Sequence, residues 1–218
     1  MRIRTKPWAK KELEECNFYI NNPETNKGKW NEYFKNGNPI HMELGCGKGS
    51  FIAELATQNL NINYIAVDMI EAMLGLAKRN IESKYNEKNI DEIKNIALVR
   101  QNIERIDMML DKSDIIDRIY INFCNPWPRG KHNKRRLTHT RQLEKYKVFL
   151  REGAEIHFKT DDDTLFESSI KYFENSGFEI LELTYDLHSE NIEDNIETEH
   201  EKMFSEQGIK IKRLVAKI

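Results

Sequence analysis

The sequence predicts an α/β fold in which a mostly parallel sheet carries helices on both faces. Three observations lead there. Short apolar strands recur along the chain, most are followed by a segment of helical periodicity, and glycine or proline punctuates the joints. Strands that alternate with helices are joined by crossovers, and crossovers make neighbouring strands parallel.

Ile40-His41-Met42-Glu43-Leu44 is the first strand, and it runs into the glycine loop Gly45-Cys46-Gly47-Lys48-Gly49. Ser50 to Gln58 places Phe51, Ile52, Leu55 and Ala56 at helical spacing. Tyr64 to Val67 is a second strand, ended by Asp68, and Glu71 to Lys84 a helix striped with Met73, Leu74, Ala77 and Ile81. Ile96 to Val99 is a third strand and Ile119 to Phe123 a fourth, which Asn125-Pro126 stops. Thr138 to Leu150 reads as a helix, Glu155 to Phe158 as a fifth strand, and Asp163 to Ser176 as a helix closed by Gly177. Phe178 to Tyr185 and Ile209 to Ala216 are closing strands. His188 to Gln207 is too polar for core and reads as a loop or an exposed helix. No repeat or low-complexity linker interrupts the series, so residues 1–218 are expected to form one domain, with 1–30 a mobile, basic N-terminal arm.

Composition narrows the classes. With 39% hydrophobic and 32% charged residues, the 218-residue chain is neither disordered nor membrane-embedded. No apolar run approaches the roughly 18 residues of a spanning helix, and the opening MRIRTKPWAKK lacks the apolar core of a secretory signal. Three cysteines, Cys16, Cys46 and Cys124, without CxxC spacing argue against a disulfide scaffold or a cysteine zinc site and fit a reducing cytoplasm. The six histidines show no ligand spacing, so no metal is expected. The net charge of -2 hides segregation. Residues 126–147 hold eight Lys/Arg against one acid, and 186–206 hold eight acids against one Lys. Because charges act within a Debye length of about 8–10 Å, the local field sets the partner. Such runs are usually solvated faces, but the basic one also carries Trp127, His132, His139 and two prolines, which points to an anion-binding surface.

The glycine loop is the first candidate site. A dinucleotide fingerprint requires G-x-G-x-x-G, and its third glycine falls here on Ser50. The pattern present, Glu43-x-Gly45-x-Gly47-x-Gly49, resembles the first motif of class I S-adenosylmethionine-dependent methyltransferases. Their ligand is a cationic sulfonium, which suits a carboxylate at Glu43, whereas a pyrophosphate would be repelled. Asp68, 23 residues after Gly45, stands where an acid takes a ribose hydroxyl pair. Asn102 can offer an amide to an adenine edge. A tight structural turn is the plainer alternative for a lone glycine loop.

The second site is Asn122-Phe123-Cys124-Asn125-Pro126-Trp127-Pro128, at the carboxyl end of the fourth strand, where ligands bind in open α/β sheets. Trp127 offers a stacking face and the following Arg129 to Arg136 stretch offers cations, a pairing that suits a polynucleotide. Core packing is the plainer account of Trp127 taken alone.

The run YINFCNPWPRGKHNKRRLT, the loop ELGCGKG, the segment FKTDDD, the late Thr198-Glu199-His200-Glu201 and the opening MRIRTKPWA together resemble tRNA (guanine-N7-)-methyltransferases of the bacterial, single-subunit type. The resemblance covers nearly the whole chain. It implies a Rossmann-like fold, S-adenosylmethionine as methyl donor, and methylation at N7 of the variable-loop guanine (position forty-six) of tRNA, by a monomer or homodimer. Residue by residue, it implies that Glu43, Gly45, Asp68, Asn102 and Asn125 serve the cofactor. Arg129, Asp161, Thr198, Glu199, His200 and Glu201 would serve the tRNA, and Asn125 would also be catalytic.

The chain departs from the family where Asn125 replaces the usual Asp, Asp68 the frequent Glu, and His200 the usual Tyr. The first departure bears on the chemistry. Guanine N7 carries an in-plane lone pair, so no proton has to leave before transfer, and catalysis is mainly positioning. Positive charge then passes to the purine, where a carboxylate stabilises it better than an amide dipole. Losing such an interaction typically costs on the order of 3–4 kcal/mol. Asn125 also leaves open an exocyclic-amine methyltransferase, whose turn reads Asn/Asp-Pro-Pro-aromatic, and a tRNA-binding relative with weakened turnover. The acids within Thr198 to Glu201 are expected to hydrogen-bond the guanine N1 and amino edge, with Glu201 the one to test, and a solvated face is the plainer account of the acidic tail. Cys46 and Cys124 are expected to be small buried side chains.

Overall fold

The computed structural model describes residues 6–190, 192 and 195–218. The chain divides into two compact units, Met1–Asp114 and Ile115–Ile218. In the first, α1 (Pro7–Glu14), β1 (Tyr19–Ile20) and α2 (Trp30–Phe34) precede β2 (Ile40–Leu44), α3 (Ser50–Gln58), β3 (Asn63–Asp68), α4 (Glu71–Glu87) and β4 (Ile96–Arg100). The strands lie in the order β1-β4-β3-β2 and every pairing is parallel. All five residues of β2 and the first five of β3 are buried, the pattern of parallel strands covered on both faces. Ile52 and Ala56 from α3, Leu74, Ile81 and Tyr85 from α4, and Tyr64, Ala66 and Leu98 from the sheet form one apolar cluster.

Residues 7–30 differ from the expected mobile arm; residues 1–5 lie outside the described residues. Ala9 is fully buried on α4, and a Cβ built on Gly75 would come within 2.5 Å of the Ala9 Cβ. That approach requires glycine at 75. Trp30 is fully buried, its Nε1–H donates to the Met109 carbonyl (2.8 Å), and Asp114 accepts the Gly28 and Trp30 amides (2.8 and 3.1 Å). Truncating a core Trp to Ala costs about 3–5 kcal/mol, so this segment is held by packing. Its elements are too short, and its composition too charged, for periodicity to reveal them.

The second unit contains β5 (Ile116–Asn122), α5 (Thr140–Tyr146), β6 (Leu150–Thr160), α6 (Asp163–Asn175), β7 (Glu179–Thr184), α7 (Glu199–Ser205) and β8 (Lys212–Lys217). Its order is β5-β6-β8-β7, with β5 parallel to β6 and β8 antiparallel to both its neighbours. Helix α5 is shorter than its apolar pattern suggests because Phe149 and Leu150 belong to the strand edge. The Ile116 amide donates to the Phe149 carbonyl (2.9 Å), and Leu150 is in register with Ile116. The polar stretch from His188 to Gln207 supplies α7, on whose cap the second candidate site depends. Among the described residues no helix is long and apolar enough to cross a membrane.

Candidate active site

In the first unit the glycine loop follows β2 directly. Gly45, Gly47 and Gly49 all have positive φ (87°, 52° and 72°), a region that side chains with a Cβ enter only with strain. The amides of Gly45 and Cys46 both donate to the Val67 carbonyl (2.8 and 3.0 Å), tying the turn to the end of β3. At Gly49 a Cβ would lie 2.8 Å from the Ala77 Cβ, so this glycine lets α3 close against α4. At Gly45 and Gly47 a Cβ would meet nothing within 4 Å. The loop therefore has one face welded to the fold and one face open to a ligand.

Asp68 closes the turn. Its Oδ2 accepts the Gly47 amide (3.1 Å) and its Oδ1 the Ile70 amide (2.8 Å), while burial raises its pKa against the pull of those amides. Glu43 is 3% exposed on β2, two residues before Gly45. Two acids thus sit at the carboxyl ends of adjacent parallel strands, a donor set suited to a cationic ligand carrying a ribose. Asn102 caps the 3₁₀ turn after β4, its Oδ1 accepting the Glu104 amide (3.0 Å), which leaves its Nδ2 as the group that can address a base edge. It lines a cavity of about 300 Å³ with Asn21, Asn22, Met69, Arg100 and Gln101. Asn21 and Asn22 had no motif to mark them; they reach this cavity because the two-residue β1 pairs with β4.

In the second unit the loop after β5 is bent by two residues in the left-handed region, Phe123 (φ 50°) and Trp127 (φ 45°). Such positions cost of order 1–3 kcal/mol and persist only where other bonds impose them. Those bonds are present. The Phe123 amide donates to the Lys159 carbonyl (2.9 Å), and the Trp127 amide donates to Oδ1 of the exposed Asn125 (3.0 Å). Arg136 donates from Nε to the Pro126 carbonyl (2.8 Å) and from a terminal nitrogen to the Trp127 carbonyl (3.4 Å). An aspartate at 125 would accept the same Trp127 amide, so the Asn keeps the turn and changes only the outward group from acceptor to donor.

The basic run separates into two kinds of cation. Arg136 is 2% exposed and belongs to the loop, which corrects its reading as part of an anion-binding surface. Arg129, Lys131, Lys134, Arg135 and Arg141 are exposed. The Arg135 guanidinium lies 3.9 Å over the Trp127 ring, with His132 5.8 Å from it, so the half-buried Trp127 is a surface platform and not core packing. Of the three acids after β6, Asp162 caps α6 through the Leu165 amide (2.6 Å) and Asp163 pairs with Lys212 (2.6 Å). Asp161 is half-buried at the end of β6, beside β5, and its carboxylate makes no bond among the described residues.

Thr198 to Glu201 forms a capping box on α7. The Thr198 Oγ1 accepts the Glu201 amide (3.0 Å) and the Glu201 carboxylate accepts the Thr198 amide (3.4 Å). Glu201 has no exposed surface, and its carboxylate faces Lys159 (2.9 Å) and Asn195 (2.6 Å). The structure therefore turns Glu201 away from the role of reading a base edge, because its oxygens are engaged inside the fold. Glu199 and His200 are the exposed members, and His200 stacks on Phe123 (5.9 Å, 21°). Lys159 and Asn195 went unmarked as site residues in the sequence. A lysine inside the apolar run IHFKT was the one available sign. Cys46 and Cys124 are shielded thiols, Cys46 raised well above the ordinary range and Cys124 pushed up to about 12, both by burial. Among the described residues no group of three or more His, Cys, Asp or Glu could hold a metal ion.

A family described as "Putative methyltransferase" matches residues 37–214. A protein of Clostridium botulinum (strain Eklund 17B / Type B) named tRNA (guanine-N(7)-)-methyltransferase is 62% identical over 99% of this chain and 98% of its own. A protein of the same name from Clostridium tetani is 50% identical over the full length of both. Among solved structures, the 16S rRNA methyltransferase KamB superposes with a TM-score of 0.63, covering 87% of this chain and 92% of its own at 13% identity, a likeness of fold alone. That fold is the Rossmann-like α/β arrangement of class I methyltransferases.

Proposed function

This chain belongs to the tRNA (guanine-N(7)-)-methyltransferase family, and we propose that it methylates N7 of the variable-loop guanine, position forty-six, of tRNA, with S-adenosylmethionine as donor. The observation that carries the proposal is 62% identity over nearly the whole chain to a protein of that name. The donor fits the first unit: an open glycine face, the buried Glu43, and Asp68 and Asn102 at the ends of β3 and β4. It supplies the methyl group as a sulfonium electrophile.

The protein's part is then orientation and shielding. Glu43 and Asp68 place negative charge where a cation and a ribose have to be held. Trp127 gives a base a flat face, while Arg129, Lys131, Lys134 and Arg141 give phosphates their counter-charge. Asn125 orients the base through its outward amide, and the half-buried Asp161 supplies a carboxylate for purine charge. An amine-methylating turn needs the residue-125 carbonyl for the substrate. Here that oxygen accepts the Trp127 amide and keeps a second lone pair, so the identity of the product separates the two readings. We assign the chain to the cytoplasm, where tRNA is the available substrate, and treat residues 1–218 as one functional domain.

The test is methyl transfer from labelled S-adenosylmethionine to unmodified tRNA, followed by nucleoside analysis. N7-methylguanosine mapped to the variable loop is the expected product. A different methylated nucleoside, or tRNA binding without transfer, contradicts the proposal.

A further inference from the structure

Lys159 was assigned no role by its sequence, and its surroundings are unusual for a lysine. It lies on β6 with 7% of its side chain exposed, inside the second unit. A lysine ammonium has three donors and no acceptor. Here it donates to Glu201 Oε2 (2.9 Å), to the Ile196 carbonyl (3.1 Å) and to Asn195 Oδ1. These partners lie in the segment 195–201, with Asn195 in turn donating to Glu201 Oε1 (2.6 Å) and His188 3.5 Å from that same oxygen. Breaking a buried pair by removing one partner leaves an uncompensated charge, so the fold has strong reason to keep this segment on β6.

The same residue reaches the catalytic loop from its backbone. The Lys159 carbonyl accepts the Phe123 amide (2.9 Å), two residues before Asn125, and Phe123 carries His200 on its ring. One residue therefore grips both halves of the tRNA-facing surface: the bent loop 123–127 through its carbonyl, and the α7 cap through its ammonium. Glu199 and His200 stay exposed because Glu201, one turn position away, is drawn inward.

We propose that Lys159 and Glu201 act as a single buried anchor that positions Glu199 and His200 against the Asn125 loop, and that Glu201 serves the tRNA through this anchor without touching the base. Lys159 is thus a positioning residue, an inference that rests on the tRNA-methyltransferase reading above.

A double-mutant cycle tests it in the full-length protein. Lys159→Met, Glu201→Gln and the two combined are assayed for kcat/KM with tRNA, alongside the Kd for S-adenosylmethionine. If the pair is one device, each single variant lowers kcat/KM for tRNA by about tenfold or more, and the double variant falls no further. The Kd for S-adenosylmethionine stays at the wild-type value, a split that general unfolding does not produce. Multiplicative losses, with the double variant about a hundredfold down, overturn the proposal, because Glu201 would then contact tRNA independently of Lys159. Full activity in Lys159→Met also overturns it. If either single variant loses donor binding, Lys159→Met with Glu201→Leu, which fills the site with apolar groups, replaces the cycle. Retained donor binding with loss of tRNA use then supports the anchor, and retained tRNA use overturns it. Wild-type protein that transfers no methyl to tRNA refutes the functional reading itself, an outcome the variants do not mimic.

Discussion

Gly47 and Gly49 stand two residues apart in one loop, both with positive φ, yet the structure assigns them opposite consequences on substitution. Alanine at 49 meets two penalties. Its Cβ would fall 2.8 Å from the Ala77 Cβ and 3.0 Å from the Ala77 Cα, closer than such atoms approach, and the backbone at φ 72° disfavours any Cβ. The left-handed conformation costs about 1–2 kcal/mol and overpacking a further 1–3 kcal/mol, so Gly49→Ala should lose about 2–5 kcal/mol. Alanine at 47 pays only the backbone cost, about 1–2 kcal/mol, because its Cβ enters open space. That space is where the donor is proposed to lie. Gly47→Ala should therefore weaken S-adenosylmethionine binding by at least tenfold while remaining folded. Urea unfolding of both variants, paired with calorimetric titration of the donor, reads the two effects separately. Equal destabilisation by both variants, or wild-type donor affinity in Gly47→Ala, would refute the division of the loop into a packed face and an open one.

Four further outcomes follow from the second unit. Arg136→Met should lower stability by about 2–4 kcal/mol, since the 2.8 Å charged hydrogen bond contributes roughly 1.5–3 kcal/mol and the 3.4 Å one less, and should leave the salt dependence of tRNA binding unchanged. Lys134→Ala should do the reverse, leaving stability intact and reducing the magnitude of the log-affinity slope against log salt by about one unit or less. Asn125→Asp keeps the acceptor for the Trp127 amide and adds a carboxylate, so turnover should hold or rise, and a large loss in single-turnover transfer would contradict the assigned orientation. Cys124, whose thiol burial pushes up to about 12, should hold far less thiolate at neutral pH than an ordinary cysteine, and its alkylation by iodoacetamide in the folded protein should be slow.

The parallel core was legible because it obeys simple rules. Strands β2, β3 and β4 are short apolar runs bounded by Gly, Asp and polar residues, and α3 and α4 carry one clear stripe each. The N-terminal elements were not legible, because β1 is two residues long and α2 only five, below the length at which any period can be counted. Motifs marked candidate positions but not their surroundings. Thr198-Glu199-His200-Glu201 reads as four candidates in a row, yet a capping box directs the first and last inward and the middle two outward, a division that comes from the helix start and from Lys159, 42 residues earlier. Arg136 shows the same limit. Within a run of cations nothing local distinguishes the buried one from those that face solvent, because its partners are the backbone carbonyls of Pro126 and Trp127.

The chemistry assigned to this chain turns on one atom, the purine N7. A tRNA built with 7-deazaguanosine at the variable-loop position replaces that nitrogen by CH and leaves the exocyclic amine, the ribose and the phosphates in place. Offered to the protein with labelled S-adenosylmethionine, it should bind with close to the affinity of ordinary tRNA and accept no methyl group. Label transferred to the substituted tRNA at the ordinary rate would show that the methyl goes to another atom, and would contradict the account.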